Sequence, residues 1–133
     1  MRDSILETRG TYKGHKWGII FRNPLGYRCG YVEAPQSLNP LKTKLEEDLD
    51  VHGGVTYIEH FNPLDRERTP NFWIGFDCAH AGDGFTSRLF TLSDNEEVRS
   101  KEYCVEECKK LIDQLIELEA KVNHHASEKE ANN

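Results

Sequence analysis

Side chains that could carry chemistry are concentrated in three segments of this chain. They are Tyr27-Arg28-Cys29-Gly30-Tyr31, Val51-His52-Gly53-Gly54-Val55-Thr56-Tyr57 and Phe76 to Asp83. The segments combine glycines, which let a backbone approach a ligand closely, with thiols, imidazoles and charged groups. Three kinds of polar site are compatible with these residue types.

The first is a zinc site made by Cys29, His52, Cys78 and His80. Two thiolates and two imidazoles suit the tetrahedral preference of zinc. Cys78 and His80 are two residues apart at the end of a predicted strand, so they can face the same side. Cys29 and His52 would have to converge on them from separate strands.

The second is a nucleophilic site of a hydrolase or transferase. Cys78 or Cys29 would attack, His52 or His80 would act as its base, and an aspartate would orient that base. The glycines that follow His52 could present backbone N–H groups to an oxyanion. The sequence does not decide which cysteine meets which histidine.

The third is a non-catalytic pocket for a small polar, nucleotide-like ligand. Arg28 or Arg88 could bind a phosphate. A base could stack on one of the aromatic residues Tyr27, Tyr31, Tyr57 and Trp73. The candidate ligand-binding residues are Tyr27, Arg28, Cys29, His52, Gly53, Gly54, Tyr57, Asp77, Cys78, His80, Asp83 and Arg88.

A purely structural interpretation competes with all three. Asp77, His80 and Asp83 could cap the turn after a strand, where aspartate and glycine are favoured. Cys29 and Cys78 could fill the sheet as small hydrophobic side chains, and strand tyrosines are commonly part of a core.

The motifs GYRCGYV, HGGVTY and GFDCAHAGD together resemble a family of small proteins encoded largely by phages and related mobile elements. The resemblance covers about residues 26–83. It implies a shared fold and a phage or prophage origin, and it assigns no catalytic role to any residue. Since phages use small oligomeric proteins to block host defence, it favours a binding protein whose partner is a small polar ligand or a host protein. No cofactor is expected in that case, with zinc as the alternative.

Composition excludes several other classes of protein. The formal net charge of −6 argues against a protein that coats nucleic acid. No apolar run approaches the roughly 20 residues of a membrane-spanning helix, and no apolar signal core follows Met1, so we expect a cytoplasmic protein. The four cysteines form no C-x-x-C pair and are expected to stay reduced in that compartment.

Periodicity predicts an α+β fold with four mostly antiparallel strands. Residues 1–9 show no clear period and are predicted as a lead-in. Residues 16–21 and 27–32 should form a hairpin around a type I turn at Asn23-Pro24-Leu25-Gly26. Residues 34–50 suggest an exposed crossover with one short helical turn. Residues 55–61 suggest a third strand, and residues 71–78 a central strand covered on both faces.

One long helix should close a single domain over residues 1–123. Ser93-Asp94-Asn95-Glu96 fits a capping box, and apolar residues recur at helical spacing up to Val122. A helix over about 94–123 would be roughly 45 Å long, which exceeds the breadth of the sheet, so we expect it to mediate a homodimer or higher oligomer. Residues 124–133 are predicted to be a disordered polar tail.

Overall fold

The apolar pattern of the chain produces one antiparallel sheet and one long helix. The computed structural model describes residues 4–23, 26–78 and 99–131. Its elements, in chain order, are β1 (Ser4–Tyr12), β2 (His15–Arg22), β3 (Tyr27–Glu33), a 3-10 helix (Gln36–Leu41), α1 (Lys42–Asp48), β4 (Tyr57–Asn62), β5 (Glu67–Asp77) and α2 (Lys101–Ala131). The α+β prediction is therefore confirmed.

The sheet has five strands in the order β1-β2-β3-β5-β4, and each neighbouring pair is antiparallel. The prediction of four strands was wrong because β1 was taken as a lead-in. Among the described strands β1 lies at an edge and pairs with β2 alone, and its Ile5 and Leu6 are exposed. Its side chains therefore lack the regular apolar alternation by which half-buried strands are identified.

The other strands agree more closely with the sequence. The hairpin between β2 and β3 is confirmed, and Gly26 ends its connection with a positive φ of 82°. Pro24 and Leu25 of the predicted turn lie outside the described residues. Strand β5 lies between β3 and β4, and its Phe72, Trp73 and Ile74 are fully buried, which confirms a central strand covered on both faces.

One face of the sheet, here called the helix face, packs against α2. Because strand side chains alternate, it receives Ile19, Val32 and every second residue of β5 from Phe72 to Phe76. The buried residues of α2 recur at helical spacing: Cys104, Cys108, Leu111, Ile112 and Leu115. The opposite face holds a second cluster made by Ile20, Cys29, Tyr31, Leu64 and Trp73.

The crossover between β3 and β4 is helical, as predicted, but it is partly buried rather than exposed. It contains the 3-10 helix and α1, and its Leu38, Leu45 and Leu49 are buried in the core beside α2. The sequence pattern pointed to an exposed segment because these leucines are spaced among charged residues. These three leucines hold the crossover against the core.

Helix α2 begins later than predicted. Residues 99–100 are not helical, and the Ser100 hydroxyl accepts a 3.1 Å hydrogen bond from the Tyr103 N–H, so Ser100 caps the helix. The capping box at 93–96 lies outside the described residues. At its other end the helix continues to Ala131, past the predicted end at residue 123.

The apolar stripe of α2 is used within the chain. Leu118 and Val122 are half-buried against the core, and they line an apolar groove with Leu41 of the 3-10 helix. Dimerisation through this helix stays a prediction, as does the domain boundary at residue 123. None of the described helices is both long enough and apolar enough to span a membrane.

Candidate functional site

The candidate residues of the sequence are divided between the two faces of the sheet. Cys29 of β3 pairs with Asp77 of β5, so these two side chains share the face opposite α2. Cys78 is the next residue and lies on the helix face, where its Sγ is 3.7 Å from the Cys104 Sγ. The predicted four-residue zinc set therefore does not converge, because Cys29 and Cys78 are on opposite sides of the sheet.

The part of the chain that the structure describes contains no group of three or more histidine, cysteine or acidic residues placed to hold a metal ion. His80, the fourth residue of the predicted zinc set, lies outside that part. So do Asp83 and Arg88, two further candidates for ligand binding.

His52 belongs to a loop that is hydrogen-bonded to α2. Its ring Nδ1 is 2.8 Å from the Tyr103 hydroxyl, and its backbone N–H donates a 2.7 Å hydrogen bond to Glu107 Oε1. Gly53 and Gly54 both have positive φ, and the Gly54 N–H closes a turn onto the Val51 carbonyl. The glycine pair is required by this turn, since a residue with a side chain is strained at such φ values.

The environment of Cys29 does not activate its thiol. Burial raises its pKa, and the nearby Arg22 only partly opposes this effect. A nucleophilic cysteine requires the reverse shift. His52 interacts with α2, on the far side of the sheet from Cys29, so the predicted Cys29–His52 pair is not formed.

Arg28 is occupied by structural partners. Its Nε donates a 2.6 Å hydrogen bond to Glu7 Oε1 in a largely buried ion pair, and its Nη1 donates to the Arg99 carbonyl at 2.9 Å. The guanidinium also lies over the Phe21 ring. Arg28 therefore ties β1 and the start of α2 to β3, and its charge is already neutralised.

Arg22 lies on the face of the sheet opposite α2. Arg22 Nη2 donates a 2.7 Å hydrogen bond to the Tyr31 hydroxyl, and the guanidinium lies 5.8 Å from the centre of that ring. Arg22 is half-buried, and no carboxylate among the described residues forms an ion pair with it. Arg22 is not among the residues predicted for the site, although its position opposite Tyr27 across the predicted hairpin could have identified it.

Three tyrosines surround this guanidinium. Tyr31 lies across Gly75, where an added Cβ would be 2.5 Å from the Tyr31 ring. Tyr57 meets Tyr31 edge to face, with the ring centres 5.2 Å apart. Tyr27 and Tyr57 are partly exposed. The charge of Arg22 lowers the pKa of each tyrosine, but burial has the larger effect and raises it. Arg22, Tyr27, Tyr31 and Tyr57 are called the arginine–tyrosine cluster below.

The structure thus assembles part of the predicted ligand-binding set and disperses the rest. Tyr27, Cys29, Tyr57 and Asp77 share the face of the arginine–tyrosine cluster. Arg28 and Cys78 are on the helix face, and residues 52–54 are fastened to α2. Sequence alternation within β3 correctly grouped Cys29 with the tyrosines.

No protein-family model, curated protein or solved structure matches this chain. The resemblance of residues 26–83 to phage-encoded proteins therefore stays a prediction. The geometry of the arginine–tyrosine cluster is the basis on which a function can be argued.

Proposed function

We propose that this protein is a small non-catalytic binding protein that holds a nucleotide-like ligand at the arginine–tyrosine cluster. The observation that carries the proposal is the Arg22 guanidinium, a half-buried positive charge whose hydrogen-bond partner is the neutral hydroxyl of Tyr31. Zinc-supported interaction and cysteine–histidine catalysis are the weaker alternatives. The sheet separates Cys29 from Cys78 and from His52, and Cys78 is a buried core thiol beside Cys104.

A guanidinium carries five N–H donors in a planar fork, and one neutral hydroxyl uses little of that capacity. Partial burial removes water from the charge, and no carboxylate in residues 4–23, 26–78 or 99–131 forms an ion pair with it. A phosphate or carboxylate can accept two parallel hydrogen bonds from such a fork, with a strength about twice that of neutral hydrogen bonds. An anionic group on the ligand would therefore complete the environment of Arg22.

The surrounding rings favour an aromatic group next to that anion. Tyr31 is held in place by Gly75 and Arg22, while Tyr27 and Tyr57 retain exposed ring surface beside it. Stacking of a base on an aromatic side chain is worth about 1–3 kcal/mol. A base attached to a phosphate would use the rings and the guanidinium together.

The charge of the chain limits the size of the ligand. With a formal net charge of −6, the protein repels extended polyanions. Arg22 has no ion-pair partner among the described residues, and one such guanidinium matches one phosphate. We therefore favour a mononucleotide-sized ligand over a nucleic-acid strand. The phage origin, the counter-defence role and the host-protein partner implied by the resemblance remain further parts of the proposal.

A thermal-shift experiment tests the proposal. The full chain is heated with nucleoside monophosphates, with the corresponding nucleosides and with inorganic phosphate. A nucleotide present at 100 times its Kd should add about 2.7 kcal/mol of stability, and the nucleoside or phosphate alone should add less. The absence of a shift with every nucleotide would reject a nucleotide-like ligand.

Arg22→Ala provides the specific variant and Arg68→Ala its control. Arg68 lies exposed on β5. Its replacement by alanine removes the same charge at a position outside the arginine–tyrosine cluster. The nucleotide shift should be lost in the first variant and retained in the second. An equal shift in both would show that binding occurs elsewhere, and an Arg22→Lys variant checks the result if the alanine variant is poorly folded.

A further inference from the structure

Two thiols meet in the core between β5 and α2. Cys78 directly follows β5, and Cys104 lies in the first turn of α2. Their sulfur atoms are 3.7 Å apart, and both residues are almost completely buried. A disulfide requires the sulfurs to approach to about 2.0 Å, which is a movement of less than 2 Å from this starting geometry.

The other two cysteines are not equivalent to this pair. Cys108 lies one turn further along α2, over Gly30, where an added Cβ would be 2.8 Å from the Cys108 Sγ. Cys29 is on the opposite face of the sheet. Cys78 and Cys104 are therefore a close thiol pair, and Cys29 and Cys108 can serve as control positions in an oxidation experiment.

We propose that Cys78 and Cys104 are an oxidative modification site that forms a disulfide in the presence of a peroxide. One thiol loses its proton, and the thiolate attacks an oxygen of hydrogen peroxide. The O–O bond breaks, a sulfenic acid is left, and the departing hydroxide takes up the proton as water. The second thiol attacks that sulfur and displaces its hydroxyl group as a second water. The two sulfurs together lose two electrons, and the two peroxide oxygens gain them.

The positions of both residues at element ends make this reaction accessible despite their burial. The Cys104 N–H bonds to the Ser100 carbonyl at the helix start, and the Cys78 N–H bonds to the Arg28 carbonyl at the end of the ladder. Ends of helices and strands open locally at a lower free energy than the whole fold. A small oxidant can reach the pair during such opening without global unfolding.

The disulfide would connect the end of the central strand directly to the start of the long helix. These residues are 26 positions apart, so the bond would close a loop containing the segment that joins β5 to α2. Closing such a loop restricts the unfolded chain and stabilises the fold. The oxidised protein should therefore unfold at a higher temperature than the reduced protein.

Peroxide treatment of the reduced full chain tests the site. The number of thiols titrated after denaturation should fall from the four of the reduced chain to two. The intact mass should drop by two hydrogen atoms, and peptide mapping should find Cys78 joined to Cys104. Peptide mapping of the unmodified sequence does not depend on whether a variant folds.

Serine variants locate the reaction. Cys78→Ser and Cys104→Ser should each abolish the loss of two hydrogens, while Cys29→Ser and Cys108→Ser should retain it. Retention of all four thiols at peroxide concentrations that oxidise a free peptide thiol would overturn the proposal. A bridge to Cys29 or Cys108, or oxidation to sulfinic acid without a bridge, would also overturn it.

Discussion

Arg22 Nη2 donates a 2.7 Å hydrogen bond to the hydroxyl of Tyr31, and this contact organises the face of the sheet opposite α2. Tyr31 can receive the bond because Gly75 leaves room for its ring. The pair places a half-buried positive charge among the tyrosines and near Cys29. The proposed ligand site depends on this relationship.

Gly75→Ala should destabilise the protein by about 1–3 kcal/mol, because the new methyl group would overlap the Tyr31 ring. In open space the same change would favour a strand, so a loss of stability identifies the steric contact. Urea unfolding gives the measurement. Glu67→Ala, at an exposed position of the same strand, should change stability by less than about 0.5 kcal/mol. A Gly75→Ala protein as stable as the control would contradict the packing of Tyr31.

Stability should fall at alkaline pH. Burial raises the pKa of Tyr31, and it also raises the pKa values of the Cys29 and Cys108 thiols. Unfolded tyrosines and cysteines titrate near pH 10 and 8.5, so above those values the folded state binds more protons than the unfolded state. The raised pKa values of these groups therefore add their full contribution to the free energy of unfolding below about pH 8.5. That contribution is lost as the pH rises through the pKa values of the folded state.

Thermal unfolding between pH 7 and 11 checks this expectation. Tyr31→Phe removes one of the titrating groups, so its melting temperature should fall less steeply above pH 10 than that of the wild type. Loss of the Arg22 hydrogen bond lowers the whole curve but does not change its slope. Identical slopes for the two proteins would show that Tyr31 titrates normally in the fold.

Glu7→Gln should destabilise the protein by about 1–3 kcal/mol, because it leaves the largely buried Arg28 guanidinium without its counter-charge. Asp113→Asn is the matched control, since it breaks the exposed Lys13–Asp113 pair and should cost less than about 1 kcal/mol. Chemical unfolding measures both. Equal costs would mean that burial does not strengthen the Glu7–Arg28 interaction.

Much of the fold follows from local pattern. The continuous apolar run of β5 predicts a central strand, and helical spacing up to Val122 predicts α2. The edge strand β1 was not predicted because its side chains are mostly exposed to solvent and its stability depends on pairing with β2. The start of α2 was predicted at about residue 94 from the capping box at 93–96, whereas in the structure Ser100 caps the helix.

The candidate site was less predictable, because it depends on strand register. Alternation within β3 correctly placed Tyr27, Cys29 and Tyr31 on one face. The register that pairs Cys29 with Asp77 could not be predicted from the residue pattern, and this register places Cys29 and Cys78 on opposite faces of the sheet. The prediction that Cys29 and Cys78 meet was wrong because it concerned side chains of different strands, whose relative position depends on register.

The glycine-rich motif at 52–54 was assigned to a site for a related reason. Its residue types suit an oxyanion or a close ligand, but the same residues suit a tight turn. The structure uses them to fasten the loop to Glu107 and Tyr103 of α2. Long-range contacts of this kind cannot be deduced from the composition of the loop.

Titration of a nucleoside monophosphate into the isotopically labelled chain, followed by NMR, tests the central claim most directly. The side-chain Nε–H signal of Arg22 and the ring signals of Tyr27 and Tyr57 should shift most, because the ligand would contact these groups. Signals of the loop at residues 52–54 should stay in place. Larger shifts in that loop or along α2, or no shift at Arg22 at saturating ligand, would contradict a binding site at the arginine–tyrosine cluster.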